Sequence, residues 1–314
     1  MKKLSVVIPA FNEELMVMRT AKTIKEILEE EKIPYELLFV DDGSKDGTWS
    51  EIERAAKKDP CVNGLMLSRN FGKESAIAAG LSCADGDAVA VMDCDLQHPP
   101  EKLVEMYRLW EQGYEVIAGV KKNRGKESRF HKRSVGLFYK IISSSVGTNL
   151  NNTSDFKLMD RKVADSILSM QERNMFFRAI SSWVGFKTTT IEFTVRERTA
   201  GESKWSPWAL VKYAFTNIVS FTTVPLQFVT ITGILCLICS VILGIYSLVQ
   251  YFAGHAVEGY TTLLIVILFI GSAMMVSLGI IGYYIAKIYD EVKHRPRFIV
   301  SRNTKAERKG YQNA

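Results

Sequence analysis

Short apolar runs punctuate the first 120 residues, and each ends in a cluster of polar side chains. "LSVVIPAF" (4–11), "YELLFVDDG" (35–43), "VNGLMLS" (62–68), "DAVAVMDCD" (87–95) and "YEVIAGV" (114–120) are rich in β-branched and aliphatic residues and have strand length. Helix-compatible segments lie between them at 13–32, 47–58, 73–84 and 100–112. This alternation predicts an α/β domain with a largely parallel sheet, and the unbroken apolar character of the strands fits a sheet covered by helices on both faces. Such sheets bind ligands beyond the carboxyl ends of their strands. The polar clusters fall there: "PAFNEE" after the first strand, "DDGSKDGT" after the second and "DCDLQ" after the fourth.

Beyond residue 212 the alternation stops. Residues 213–254 and 259–286, 42 and 28 positions long, contain no Asp, Glu, Lys or Arg. A bilayer core needs about 20 apolar residues per helix, so spans are expected near Leu226–Tyr251 and Tyr260–Tyr284; two buried helices of a soluble core are the weaker alternative. The segment after the second span carries Lys287, Lys293, Arg295, Arg297, Arg302, Lys305, Arg308 and Lys309, whereas the intervening "AGHAVEG" has no Lys or Arg. This asymmetry places both flanks in the cytoplasm and makes the hairpin point outward. The expected location is therefore the plasma membrane, multi-pass, with the catalytic portion cytoplasmic. "MKKLSVVIPAFNEE" has too short an apolar run for a signal peptide.

Overall composition changes little in this picture. The chain has 314 residues, 24% charged and 47% hydrophobic, with a net charge of +6, and no nucleic-acid partner is expected. Cys236 and Cys239 form a C-x-x-C inside the first span with no second pair, so they read as small apolar filler rather than a zinc or redox site.

Candidate chemistry concentrates at the strand ends. Asp93 and Asp95, one residue apart where a strand surfaces, can share a hard cation; Mg²⁺ or Mn²⁺ is commonly held by one or two carboxylates plus substrate phosphates. Asp41 and Asp42 leave the second strand directly and can accept hydrogen bonds from a base or ribose, while Asp46 reads as a helix cap. Gly72 and Lys73 open a helix whose backbone can meet a phosphate, or form an ordinary βα turn. "GVKKNRGKESRFHKRS" gathers Lys121, Arg124, Arg129, His131, Lys132 and Arg133, and Phe130, Leu137, Phe138 and Ile141 can share one helical face beside it. Such a basic and apolar helix suits a membrane surface, as does 207–222.

"VVIPAFNEE", "FVDDGSKDGT", "RNFGKESAIAAG", "MDCDLQHPP", "DFKLMDR" and "RTAGESKWS" occur in this order. Together they resemble family 2 glycosyltransferases of GT-A fold. Within these the chain is similar to polyprenyl-phosphate glycosyltransferases, the dolichol-phosphate mannose synthases and bactoprenol glucosyltransferases. The resemblance runs from Leu4 to about Val300 and implies metal-dependent, inverting transfer of a hexose from a nucleotide-diphosphate sugar to polyprenyl phosphate. It implies that Pro9, Phe11, Glu13, Asp41 and Asp42 hold the nucleotide, that Asp93, Asp95 and Gln97 face the metal and diphosphate, and that Arg198 and Lys204 contact the donor diphosphate. Lys121, Arg124 and Arg133 become acceptor-phosphate ligands, with Arg common among relatives at the Lys121 position. Asp155 matches the proposed catalytic base, yet a phosphate monoester with a second pKa near 6 hardly needs one, so orienting the sugar or stabilising positive charge at its anomeric carbon stays open. Two C-terminal spans favour glucose or N-acetylglucosamine carried on UDP, undecaprenyl phosphate as acceptor, and a homo-oligomer. The implied organisation is a GT-A domain over 1–205, an interfacial helix over 206–223, a transmembrane hairpin over 224–286 and a basic tail over 287–314. The alternatives are a GDP-mannose-using synthase, a processive polysaccharide synthase, for which "QERNMF" (171–176) lacks the expected Q-x-x-R-W, and a non-catalytic nucleotide-sugar receptor.

Overall fold

The computed structural model describes residues 2–122, 153–170, 172, 175–195, 224–253 and 259–308. The chain divides into two units, Met1–Leu210 with Arg295–Ala314, and Val211–His294.

In the first unit, β1 (Leu4–Ala10), α1 (Val17–Glu30), β2 (Tyr35–Asp41), α2 (Thr48–Lys58), β3 (Val62–Leu67), α3 (Lys73–Cys83), β4 (Ala88–Val91), α4 (Lys102–Glu111) and β5 (Val116–Lys121) alternate as the apolar pattern predicts. Then follow β6 (Thr153–Asp160), α5 (Arg161–Ser169), α6 (Phe177–Trp183) and β7 (Thr188–Phe193), and after the second unit β8 (Val300–Asn303) and α9 (Thr304–Arg308). One eight-stranded sheet has the order β7-β5-β6-β4-β1-β2-β3-β8. β3, β2, β1 and β4 run parallel. β6 inserts antiparallel between β4 and β5, so the sheet is mixed.

The strands are apolar because both faces are covered. Every residue of β2 is buried, and Leu37, Phe39, Val6, Ile8 and Ala90 belong to one continuous core. Each fully buried Leu, Ile or Phe contributes roughly 1.5–3 kcal/mol relative to exposure. α1 turns Val17, Thr20, Ala21, Ile24 and Leu28 inward at helical spacing. α3 lies close on β1: a Cβ at Gly80 would sit 2.2 Å from Val7 Cγ1. Any larger residue there would lift the helix, and with it the N-terminal residue Lys73.

β8 differs from what the composition of 287–314 announces. Leu65 pairs with Asn303 and Met66 with Arg302 along the edge of β3, and Thr304 Oγ1 accepts the buried Gly64 N–H at 2.8 Å. Residues within the basic C-terminal segment thus finish the sheet and cover an edge that would otherwise present unpaired backbone.

The second unit contains α7 (Val224–Phe252) and α8 (Tyr260–Val292). Pro225–Tyr246 and Phe269–Val292 are long and apolar enough to cross a membrane. At 29 residues α7 is about 43 Å long, against roughly 30 Å of bilayer hydrocarbon. The expected interfacial segments at 129–141 and 207–222 lie outside the described residues.

Candidate active site

The carboxyl ends of β1 and β2 are joined by reciprocal hydrogen bonds between their loops. Asn12, at φ +53°, donates its N–H to Ser44 Oγ at 2.9 Å, and its own Oδ1 accepts from Lys45 N–H at 2.9 Å. Glu14 Oε2 accepts from Gly47 N–H at 2.8 Å, and Glu13 N–H donates to Thr48 Oγ1 at 2.8 Å. Gly43 takes φ +67° with Arg69 backbone 2.5 Å from where a Cβ would stand, so no other residue fits there. Pro9, Phe11 and Glu13 are half-buried along this rim. Asp46 Oδ1 accepts Thr48 N–H at 3.0 Å at the start of α2.

Asp41 and Asp42 have different surroundings. Asp41 is buried: its Oδ1 accepts Ser44 N–H at 3.0 Å, while Oδ2 is buried without a partner. Burial pushes its carboxyl above the usual carboxylate range. Asp42 receives Phe71 N–H at 2.7 Å and Gly72 N–H at 2.9 Å, one on each oxygen. It therefore fixes the turn that presents α3, which puts the side chain in contact with chain 71–72.

The antiparallel register of β4 on β6 explains the next group. Val91 pairs with Lys157; two residues further along, that register sets Asp93 opposite Asp155. Lys73 Nζ lies between them, 2.6 Å from Asp93 Oδ1 and 2.8 Å from Asp155 Oδ2. Arg178, at the start of α6, holds Asp155 from the other side with Nε to Oδ1 at 2.7 Å and Nη2 to Oδ2 at 2.8 Å. Burial opposes the charge on Asp155, but Arg178 and Lys73 outweigh it and hold the carboxyl well below the ordinary range. Burial likewise opposes the charge on Lys73, and Asp155 and Asp93 overcome it, keeping the ammonium above the ordinary lysine range.

A layer of buried polar groups supports this network. Lys157, fully buried in β6, donates to Ser181 Oγ at 2.6 Å and to the Arg178 carbonyl at 3.2 Å. Desolvation lowers its pKa to about 8. Glu74 Oε2 accepts Phe177 N–H at 3.0 Å. Both contacts seat the first turn of α6, from which Arg178 projects. His98 stacks on Phe156 at 5.0 Å with Nδ1 facing Asp93 N–H at 3.4 Å, and burial holds it below the ordinary imidazole value.

Asp95 is buried, with Oδ1 accepting Gln97 N–H at 3.1 Å across Leu96 at φ +57°; Gln97 is half-buried beside it. Among the described residues no three or more His, Cys, Asp and Glu side chains gather as a metal cage. Asp93 and Asp95 carry hard carboxylate oxygens, the donor type that Mg²⁺ and Mn²⁺ accept alongside substrate oxygens. The donor set fits such an ion. Cys94, between the two acids, is buried with its thiol pushed up by burial and is no thiolate ligand. Lys121, at the end of β5, has its ammonium lowered by burial and by the Arg178 guanidinium. Arg124, Arg133, Arg198 and Lys204 lie outside the described residues.

Lys73 as a side chain, Arg178, Lys157 and Glu74 were not selected on sequence. "FFRAI" offers one signal for Arg178, a lone cation among buried apolar neighbours at a helix start.

The model of the family described as "Glycosyl transferase family 2" matches residues 5–168. The chain belongs to this family. Family 2 glycosyltransferases similar to it over nearly its whole length include an uncharacterized glycosyltransferase, YkcC, of Bacillus subtilis (strain 168), 38% identical over 307 residues, 97% of this chain and 95% of that one. A prophage bactoprenol glucosyl transferase homolog of Escherichia coli (strain K12) is 38% identical over 302 residues, 96% of this chain and 99% of that one. The bactoprenol glucosyl transferase of Shigella phage SfII is 38% identical over 303 residues, 96% and 98% of the respective chains. The protein is thus a glycosyltransferase with a GT-A-like mixed sheet.

Proposed function

We propose that the protein transfers a hexose, glucose or N-acetylglucosamine, from a UDP-sugar to undecaprenyl phosphate or a similar polyprenyl phosphate, with inversion, at the cytoplasmic face of the membrane. The observation that carries this reading is the combination, in one chain, of acidic side chains at strand ends with two helices of bilayer length, together with relatives named bactoprenol glucosyl transferase that match nearly its whole length.

The residues divide the work as follows. Asp41 is assigned to the N–H edge of a base, which reaches its buried, unpartnered Oδ2 once the groups covering it shift. Asp93 and Asp95, with Gln97 beside them, are the residues that would hold Mg²⁺ or Mn²⁺. Such an ion, when bound, supplies positive charge against the departing diphosphate. An oxygen of the acceptor phosphate attacks the anomeric carbon as the bond from that carbon to the diphosphate oxygen breaks, and the nucleoside diphosphate leaves with the bonding pair. Lys121, together with Arg124 and Arg133, is assigned to the acceptor phosphate, and Arg198 and Lys204 to the donor diphosphate.

Asp155 is assigned a task other than proton abstraction. Two cations hold its carboxyl well below the ordinary range, which makes it a weak base, and the attacking phosphate is already ionised at neutral pH. The ionised Asp155 carboxylate instead anchors Lys73 and Arg178, fixing two cations beside Asp93.

Membranes containing the protein, incubated with labelled UDP-glucose, UDP-N-acetylglucosamine or GDP-mannose and undecaprenyl phosphate, test this directly. Lipid-extractable label from a UDP-sugar is the expected product. Label appearing only in water-soluble polymer would overturn the acceptor assignment, and lipid label only from GDP-mannose would overturn the donor assignment.

A further inference from the structure

Lys73 occupies an unusual place for a lysine: one ammonium is shared by two carboxylates, Asp93 just past the end of β4 and Asp155 in the antiparallel β6, the first of them a candidate cation ligand. Its distances, 2.6 Å to Asp93 and 2.8 Å to Asp155, are those of charge-assisted hydrogen bonds. Its position is set by the fold. Asp42 clamps the preceding turn through Phe71 and Gly72, Gly72 reaches φ +96°, and Gly80 brings α3 down on β1. The Lys73 side chain is 39% exposed, against 29% for Asp93 and 6% for Asp155. The ammonium therefore places its positive charge on Asp93 Oδ1, one of the two oxygens through which that carboxylate can bind a divalent ion.

We propose that Lys73 is a built-in counter-ion for Asp93 that keeps the donor-free enzyme a weak binder of divalent cations, so that the cation enters together with the donor diphosphate. This rests on the donor reading above. Without a diphosphate, a divalent ion must compete with the ammonium for Asp93, and among the described residues no cluster of three or more His, Cys, Asp and Glu side chains offsets that competition. A diphosphate adds oxygen ligands for the cation and a second anion for the ammonium, and both contributions relieve that competition.

The test measures cation binding rather than turnover. Mn²⁺ is titrated into the detergent-solubilised full chain without nucleotide, and free Mn²⁺ is read from its electron paramagnetic resonance signal. Lys73→Met is expected to bind Mn²⁺ about tenfold more tightly than the native chain, the attraction being discounted for exposure of the ammonium, while Lys73→Arg stays as weak as native. With saturating UDP, the native chain is expected to come within about threefold of the variant. A folded Lys73→Met that binds Mn²⁺ no more tightly than native overturns the counter-ion role, and a tenfold gap persisting with UDP overturns the coupling to the donor. If Lys73→Met loses its thermal unfolding transition, Lys73→Gln carries the same comparison with the same deciding results. Absence of turnover with every nucleotide-sugar would count against the donor reading alone, because the nucleotide-free titration decides the role of Lys73 independently.

Discussion

Arg178 meets Asp155 as a fork on a carboxylate, Nε to Oδ1 at 2.7 Å and Nη2 to Oδ2 at 2.8 Å. The contact fixes the orientation of Asp155 and, with Lys73, keeps it ionised. A carboxyl whose folded-state pKa is depressed contributes stability that is complete above its unfolded value, near 3.9, and is lost only as pH falls through the lower folded value. Removing Arg178 takes away the largest opposing effect to burial, so the Asp155 pKa rises. Arg178→Ala is therefore expected to show an acid limb in its profile of kcat/KM against pH at higher pH than the native enzyme. Asp155→Asn is expected to lower kcat about 10²–10³-fold with little change in donor KM. A native-like Arg178→Ala profile would show that the fork does not set the charge state of Asp155.

Asp41 makes a different kind of contribution, to donor binding. Its Oδ2 is buried and without a protein partner, and that unmade hydrogen bond is assigned to a donor of the nucleotide, reached once the groups covering it shift. Asp41→Ala is expected to raise the donor KM about tenfold while leaving kcat within about twofold, the pattern of a lost uniform binding contact. Steady-state kinetics against donor concentration check it, with the thermal midpoint as a control for folding.

Lys157 should reveal itself in the alkaline stability curve. Its pKa is lowered from 10.5 to about 8, so the folded state loses that proton before the unfolded state does. Stability from this group rises as pH increases from about 8 to 10.5, by at most about 1.4 kcal/mol per pH unit. Lys157→Met removes that slope. The native midpoint temperature is expected to gain on the variant by several degrees between pH 8 and pH 10 in calorimetry, whereas parallel curves would show that Lys157 stays charged in the fold.

The C-terminal strand is a matter of stability. Thr304→Val leaves the buried Gly64 N–H without its acceptor at 2.8 Å, a loss of about 1–3 kcal/mol. For a unit of this size each kcal/mol shifts the midpoint by roughly 2–4 °C. A fall of several degrees by calorimetry, with donor KM unchanged, is the expected result.

The parts of this protein that could be read from sequence are those where periodicity and chemistry coincide. Five apolar runs marked β1 to β5 because strands covered on both faces have no polar interruptions. β6 escaped as a strand because "TSDFKLMD" carries Asp155 and Lys157 on the same face, and both are buried in spite of their charge. That face is polar because it builds the site. Asp93 and Asp95 are recognisable as acids at a strand end and Asp155 through the family resemblance, but their cations are not. Lys73 and Arg178 come from helices 82 and 23 residues from Asp155 in the chain, and only the antiparallel return of β6 brings Asp93, Lys73, Asp155 and Arg178 together. β8 was hidden by its length, since four residues reading "VSRN" have no visible period, and its place in the sheet is decided by the exposed edge of β3.

The most direct test of cation-assisted transfer uses the purified protein with undecaprenyl phosphate and labelled UDP-glucose or UDP-N-acetylglucosamine, followed by lipid extraction with and without excess chelator. Label in the lipid fraction should fall at least about 10²-fold in chelator, return when Mg²⁺ or Mn²⁺ is restored, and stay lost in Asp95→Ala under all conditions. Undiminished lipid labelling in excess chelator, or in a chain with both Asp93 and Asp95 replaced by Ala, would contradict it.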